Sequence, residues 1–330
     1  LKSFDAIVIG DVNIDLVVAG CREIPEPGQE VFVDNMTLHV GGGAALFSLA
    51  LAKLGMKVAF NGNLGGDGFG QFVREQFNRH GIDTRFIKTS TLNNTGISIA
   101  INPDKDRSFI TYAGSNAELS LQQLDMKSVT LGRHVHLTGY KGSQNHRDYM
   151  EMVFKLKELG LTTSIDVGWD DTGEWYDGIF ELMNVVDVFF MNEVEVKQYT
   201  RQFSIEESIR ELSKHSRHFV LKLGSTGAVA TVDKTTKYRS GFKVPVIDTT
   251  GAGDSFNAGY IFGFLSGQPI EQCLLYANAC GAMSVSQFGG STGTPDRMAL
   301  ERFIADKMEY TTDQCVVSAP DLRRSAADGA

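Results

Sequence analysis

Asp248-Thr249-Thr250-Gly251-Ala252-Gly253-Asp254, running on through Ser255-Phe256-Asn257-Ala258-Gly259, decides the reading of this chain. A Gly-x-Gly turn leads straight into an apolar helical run. Backbone N–H groups at such a start point outward at the positive end of the helix dipole, which makes an anion site. Glycine suits the place because a Cβ would obstruct close approach of a phosphate. Asp254 then falls in the first helical turn. One reading makes it a carboxylate that stabilises the dipole. The other makes it a base that takes a hydroxyl proton while the amides stabilise a transferring group, as phosphoryl transfer requires.

Outward from this string, strand-like runs alternate with helical ones. Phe4–Ile9, Val58–Asn61, Val135–Thr138, Thr163–Asp166, Asp187–Met191 and Phe219–Leu223 read as strands. Helices are expected over Ala44–Leu54, from Asp67 to Arg79, over Tyr149–Leu159, from Glu193, and from Ser204 to Lys214, with glycine stops at Gly55, Gly81 and Gly160. Two more follow Gly251 and Pro269. Thr294-Pro295 is expected to open the last helix as cap and first-turn proline. Ser120 with Gln123, and Ser204 with Glu207, have capping-box spacing. Repeated strand–helix order implies a mainly parallel sheet with helices on both faces. Alternating runs at Leu16–Val18, Val31–Leu38, Gly96–Ile101 and Ser108–Tyr112 break the rhythm. They either meet as one small sheet or stand as separate surface hairpins.

Composition narrows the function. Of 330 residues, 35 are Gly and only 7 are Pro, a glycine excess over the usual ~7% that speaks for tight turns and close backbone approaches in a folded chain. A net charge of −9 argues against nucleic acid as a partner, and any phosphate must be held by local features. No apolar run approaches the length of a membrane span, and the first residues lack the pattern of a secretion signal. Cys21, Cys273, Cys280 and Cys315 form no Cys-x-x-Cys pair, so neither zinc nor a disulfide framework is expected, and a cytoplasmic setting is. The Walker P-loop, the Asp-Phe-Gly of protein kinases and the dinucleotide Gly-x-Gly-x-x-Gly are all absent.

The opening string resembles the second signature of the PfkB carbohydrate kinases, the ribokinase-like family. Further motifs follow in the family's order: Gly10-Asp11-Val12-Asn13-Ile14-Asp15, Gly41-Gly42-Gly43 with Leu54-Gly55, Asn192-Glu193-Val194-Glu195, and Lys222-Leu223-Gly224-Ser225-Thr226-Gly227. The resemblance implies a ribokinase-like three-layer α/β/α domain with a mainly parallel sheet, built from residues 1–11, 42–94 and 117–310. It implies a small β-sheet lid from residues 12–41 and 95–116; separately, the loss of periodicity from Thr311 and the small polar run Ser318–Ala330 make 311–330 an expected flexible C-terminal tail. The activity implied is transfer of the γ-phosphate of Mg-ATP to a hydroxyl, a primary one, of a small sugar or sugar derivative. Asp254 would be the base, with Gly251, Ala252 and Gly253 as the anion hole. Asn13, Asp15, Gly42, Gly43 and Asn116 would bind the sugar.

Asn192 and Glu195 would organise Mg²⁺ through water; the plainer alternative is a helix cap with a first-turn carboxylate. Gly224, Ser225 and Gly227 would lie against the nucleotide, with Asn278 near the adenine or simply a buried polar group. Lys222 stands where Thr or Ser is common and reads either as a phosphate ligand or as a surface lysine. Asp248, Thr250, Ser284, Gln287 and Gly289 fall where the family holds a monovalent cation such as K⁺, although Asp248 equally suits a turn-fixing role. Leu46 replaces an Asn usual in the first signature. Two other functions stay open: a nucleoside kinase of the same fold, and a non-catalytic sugar-binding regulator. A homodimer through the lid is also compatible.

Overall fold

The computed structural model describes residues 2–19, 21, 26–101 and 108–312. Its main sheet has eight strands in the spatial order Thr235–Ser240, Gly227–Val232, His218–Lys222, Val188–Asn192, Thr162–Asp166, Gly132–Leu137, Phe4–Ile9 and Val58–Asn61. The last six run parallel. The first two add an antiparallel hairpin at one edge. Phe4–Ile9 shows why the centre forms. Ala6, Ile7, Val8 and Ile9 are all fully buried, as a parallel strand covered on both faces requires. Alternate residues feed two cores. Ala6 and Val8 pack with the helices Gly43–Lys53, Ala252–Leu265 and Ile270–Ser284, while Ile7 and Ile9 pack with His146–Glu158 and Ile179–Val185. The result is a three-layer α/β/α domain.

The 252–265 and 270–284 helices pack unusually closely. A Cβ on Gly259 would stand 2.7 Å from the Tyr276 carbonyl oxygen, and one on Gly263 would stand 2.9 Å from Cys273 Sγ. Part of the glycine excess is therefore spent on helix packing. Cys273 and Cys280 are buried here as ordinary core.

The two β segments do meet. Strands Asn35–Gly41, Asn13–Ala19, Gly96–Ile101 and Ser108–Tyr112 form a second sheet in that order. Asn13–Ala19 lies antiparallel to Asn35–Gly41 and parallel to Gly96–Ile101. Register sorts the faces, because directly paired residues project to the same side. Asp15 pairs with His39 and Ser98, and Ser98 with Thr111, so this face is polar. Leu16 pairs with Leu38 and Ile99, and Ile99 with Ile110, so the opposite face is apolar.

Some local expectations fail. Strand structure starts at Asn35 rather than Val31. Ser120 makes no side-chain cap bond, and Leu121–Gln123 is one short 3₁₀ turn. The last helix starts at Arg297, where Asp296 Oδ1 accepts from Ala299 N at 2.8 Å. A charged cap two residues on displaces Thr294, whose Oγ1 instead accepts from Ser255 Oγ. Ser204 does cap its helix, accepting from Glu207 N at 3.2 Å. Cys315, residues 102–107 and residues 313–330 of the expected tail lie outside the described residues. No helix among the described residues is long and apolar enough to cross a membrane.

Candidate active site

The Gly-x-Gly turn begins the 252–265 helix as the sequence implies. Gly251 is the N-cap, with φ 68° and ψ 4°, a left-handed conformation that glycine adopts freely. A Cβ there would also stand 2.6 Å from the Gly290 carbonyl oxygen. Asp254 follows in the first turn and faces the start of the Gly43–Lys53 helix. Its Oδ1 would be 3.2 Å from a Cβ on Gly43. Burial, with the nearby charge of Asp166, pushes the Asp254 carboxyl up to about 8; Lys222 opposes the shift, and Asp11 and Asp15 add to it.

Two cavities meet at this helix start. One, of about 300 Å³, is lined by Asp11, Gly43, Thr138, Asp166, Trp169 and Asp254 among others. The other, of about 550 Å³, is mostly apolar and is lined by Lys222, Gly224, Ser225, Gly227, Gly253 and Asn278, together with Ala252. The loop residues expected at a nucleotide thus share one cavity, although they come from three separate parts of the chain. Asn278 donates to the Arg239 and Ser240 carbonyls at 3.0 and 3.2 Å, tying that cavity's wall to the edge hairpin.

The residues expected at the sugar form a cluster that reaches Asp254 through Gly43, and of the five only Gly43 lines the smaller cavity. Asn13 Nδ2 donates to Asp15 Oδ1 at 2.9 Å. Burial pushes Asp15 up to about 6; its bond from Asn13 counters this, and Asp11 and Asp248 reinforce it. Gly41 and Gly42 are needed by close packing, since a Cβ on Gly42 would stand 2.7 Å from the Asp11 carbonyl oxygen and 2.9 Å from Asn13 Oδ1. Asn116 Oδ1 accepts from Val12 N at 3.0 Å and so braces the start of the small sheet. Asp11 acts at long range. Its carboxylate accepts from Gly43 N, Ala44 N and Thr138 Oγ1 at 2.8, 3.3 and 2.7 Å, capping a helix that starts 32 residues later.

Asn192 and Glu195 form a complete capping box. Asn192 Oδ1 accepts from Val194 N and Glu195 N, and the Glu195 carboxylate accepts from Asn192 N and Nδ2 at 2.8 and 2.7 Å. Burial and Asp166 push the Glu195 carboxyl up, against Lys222. The donors are hard oxygens, which suits Mg²⁺. Each Glu195 oxygen accepts one of these bonds and keeps a further lone pair for a metal or its water.

Asp248 accepts from Thr250 N at 2.7 Å and Gly289 N at 3.0 Å, which is the turn-fixing role. Ser284 Oγ is buried and has no hydrogen-bond partner, an oxygen available to a cation, whereas Gln287 is exposed. Leu46 packs against this loop: a Cβ on Gly290 would stand 3.0 Å from Leu46 Cδ1 and 3.3 Å from Thr250 Cγ2.

Lys222 is not a surface lysine. Its Nζ donates to Asp166 Oδ2 at 2.7 Å, with the two side chains only 14% and 11% exposed. Asp166 opens the stretch Asp166-Val167-Gly168-Trp169, which together with Asp171 lines the smaller cavity. His39, on the polar face of the small sheet and close to Gly289, carried no motif at all.

The match to the pfkB family carbohydrate kinase model covers residues 4–297, and the chain belongs to that family. It is a carbohydrate kinase, an enzyme that phosphorylates an alcohol group. It is 27% identical over 303 residues to the ATP-dependent ribose-1-phosphate kinase of Halopiger xanaduensis, covering 91% of this chain and 98% of that protein. It is 26% identical over 324 residues to the 5-dehydro-2-deoxygluconokinase of Bacillus subtilis, covering 92% and 96%. Among solved structures, an Escherichia coli chain assigned as a ribokinase II, in complex with ATP and Mg²⁺, superposes with a TM-score of 0.81 at 24% identity, covering 92% and 99%.

Proposed function

We propose that the protein transfers the γ-phosphoryl group of Mg-ATP to a primary hydroxyl of a small sugar or sugar derivative. One observation carries this reading. Asp254 lines the smaller cavity while Ala252 and Gly253, on the same helix start, line the larger one. A base and an anion cradle therefore stand at the junction of two binding spaces, as in-line transfer needs. The acceptor hydroxyl enters beside Asn13, Asp15, Gly42, Gly43 and Asn116 and gives its proton to Asp254. The amides of Gly251, Ala252 and Gly253 stabilise the charge that develops on the transferring group. ATP occupies the larger cavity against Gly224, Ser225, Gly227 and Asn278. When bound, Mg²⁺ supplies charge neutralisation of the phosphates, and Asn192 and Glu195 hold it through water.

The same reading makes the small sheet a lid whose closure excludes water. K⁺ bound near Asp248, Thr250, Ser284, Gln287 and Gly289 supports the anion cradle. Pairing of two copies through the apolar face of the small sheet would cover Ile110, which is 60% exposed. The relatives' substrates suggest the panel: ribose, ribose 1-phosphate, 5-dehydro-2-deoxygluconate and, for the nucleoside alternative, adenosine. ADP release is measured with each, for the wild type and Asp254→Asn. Stimulated release that falls at least 10²-fold in the variant is the expected result. Near-normal turnover by the variant refutes the mechanism, and tight binding without any ADP release favours a regulator.

A further inference from the structure

A buried ion pair, Lys222–Asp166, forms the partition between the two cavities. We propose that Lys222 is a further catalytic residue, touching the phosphoryl group during transfer, and that Asp166 is its positioning residue. The inference rests on the kinase reading above.

Lys222 ends the strand His218–Lys222, and Asp166 ends Thr162–Asp166, with one strand between them. Lys222 lines the larger cavity and Asp166 the smaller. The ammonium lies 3.4 Å from where a Cβ on Gly253 would stand, directly against the anion cradle. Asp166 Oδ2, which accepts from Lys222 Nζ, also accepts from Asn257 Nδ2, a residue one turn beyond Gly253 on the same helix. Asp166 thus ties the ammonium to the helix that carries both the base and the cradle. A buried ion pair adds little stability over an apolar pair of the same size. Its placement here is better explained by what the charge does. Burial alone would lower the Lys222 pKa; Asp166, Glu195 and Asp254 outweigh that and hold it above the usual lysine value, so the side chain is a cation.

In the transfer, the acceptor oxygen forms a bond to Pγ as the bond from Pγ to the β–γ bridging oxygen breaks. The hydroxyl proton passes to Asp254, and ADP leaves with the bridging electron pair. Charge grows on oxygens at the cradle. Lys222 keeps one N–H on Asp166 and donates another to those oxygens. Because this contact strengthens as the charge develops, it acts on kcat rather than on substrate binding.

The test uses Lys222→Met, Lys222→Arg, Asp166→Asn and the double variant Lys222→Met/Asp166→Asn. The acceptor is the one that gives the fastest ADP release in the panel. kcat and both KM values are measured, and ADP binding by calorimetry checks fold and nucleotide cavity. Lys222→Met is expected to lower kcat about 10²-fold, with the KM for ATP and the ADP affinity within about threefold of wild type. Lys222→Arg should recover at least a tenth of wild-type kcat. Asp166→Asn should lower kcat about tenfold, and the double variant should be no worse than Lys222→Met alone, since both act through one ammonium. The proposal is overturned if Lys222→Met raises the KM for ATP at unchanged kcat, or keeps wild-type rates. It is equally overturned if Lys222→Arg binds ADP normally yet restores nothing. A dead Asp254→Asn beside a normal Lys222→Met removes this inference alone, whereas an active Asp254→Asn removes the kinase mechanism.

Discussion

Replacing Gly253 by Ala separates what the cradle does for the fold from what it does for chemistry. Gly253 is in the first turn of a helix, and its φ is not in the left-handed region. An added Cβ would meet only Lys222, at 3.4 Å from Nζ and 4.0 Å from Cδ, ordinary contacts with the end of a flexible side chain. Alanine should therefore fit the unliganded protein. In a helix interior it is worth about 1 kcal/mol over glycine, and less in the first turn. The expected melting temperature is unchanged or raised by about a degree. The same Cβ would stand over the amides proposed to receive the phosphoryl oxygens. Losing one donor of that kind costs about 10² to 10³ in rate, so kcat/KM should fall about 10²-fold or more. Gly251→Ala is the contrast. At φ 68° and 2.6 Å from a carbonyl oxygen it meets both strain and a clash, and should cost about 2 kcal/mol or more. Thermal melting and an ADP-coupled rate on both variants decide the matter. A stable Gly253→Ala enzyme that keeps more than a third of wild-type kcat/KM would refute the claim that this glycine serves phosphate approach.

Four further outcomes are expected. With the Asp254 carboxyl near 8, kcat/KM should climb with pH below that value and level off above it, and a flat profile from pH 6 to 9 would contradict its role as base. The same raised value means that the folded state holds a proton the unfolded chain has lost, so the residue costs stability as pH rises from about 4 towards 8; Asp254→Asn should melt higher than wild type at pH 8 and converge with it near pH 4, as read by calorimetry. Glu195→Gln breaks half of the capping box and should cost about 1 kcal/mol; if Glu195 also organises Mg²⁺, the half-saturating Mg²⁺ concentration rises severalfold in a titration, and an unchanged value confines it to the cap. Turnover should drop when K⁺ and Na⁺ are replaced by a bulky organic cation, whereas an equal rate removes the cation from the mechanism.

Legibility in the sequence follows the range of the forces involved. The Gly251–Asp254 turn, the buried strand Phe4–Ile9 and the cap at Asp67, which accepts from Gly70 N, depend on near neighbours and could be read in order along the chain. The Thr294 cap was misread because a competing side chain, Asp296, lay two positions on, and local spacing does not rank two good caps. The capping role of Asp11 is not legible locally because its partners, Gly43, Ala44 and Thr138, are far off in sequence.

By itself the sequence determined the kind of chemistry: a backbone anion site opening a helix, with a carboxylate in its first turn, in a strand–helix chain too acidic to hold phosphate by its overall field. Those features are local, since backbone conformation and helix dipoles act within a turn or two. Only the tertiary structure decided that residues 13–19 and 96–101 lie side by side, and that Asp254 lines one cavity while Ala252 and Gly253 line another. It alone buried Lys222 against Asp166, 56 residues away. Strand pairing, desolvation and ion pairing between distant residues depend on what the packed chain places around each group, and no spacing along a sequence encodes that.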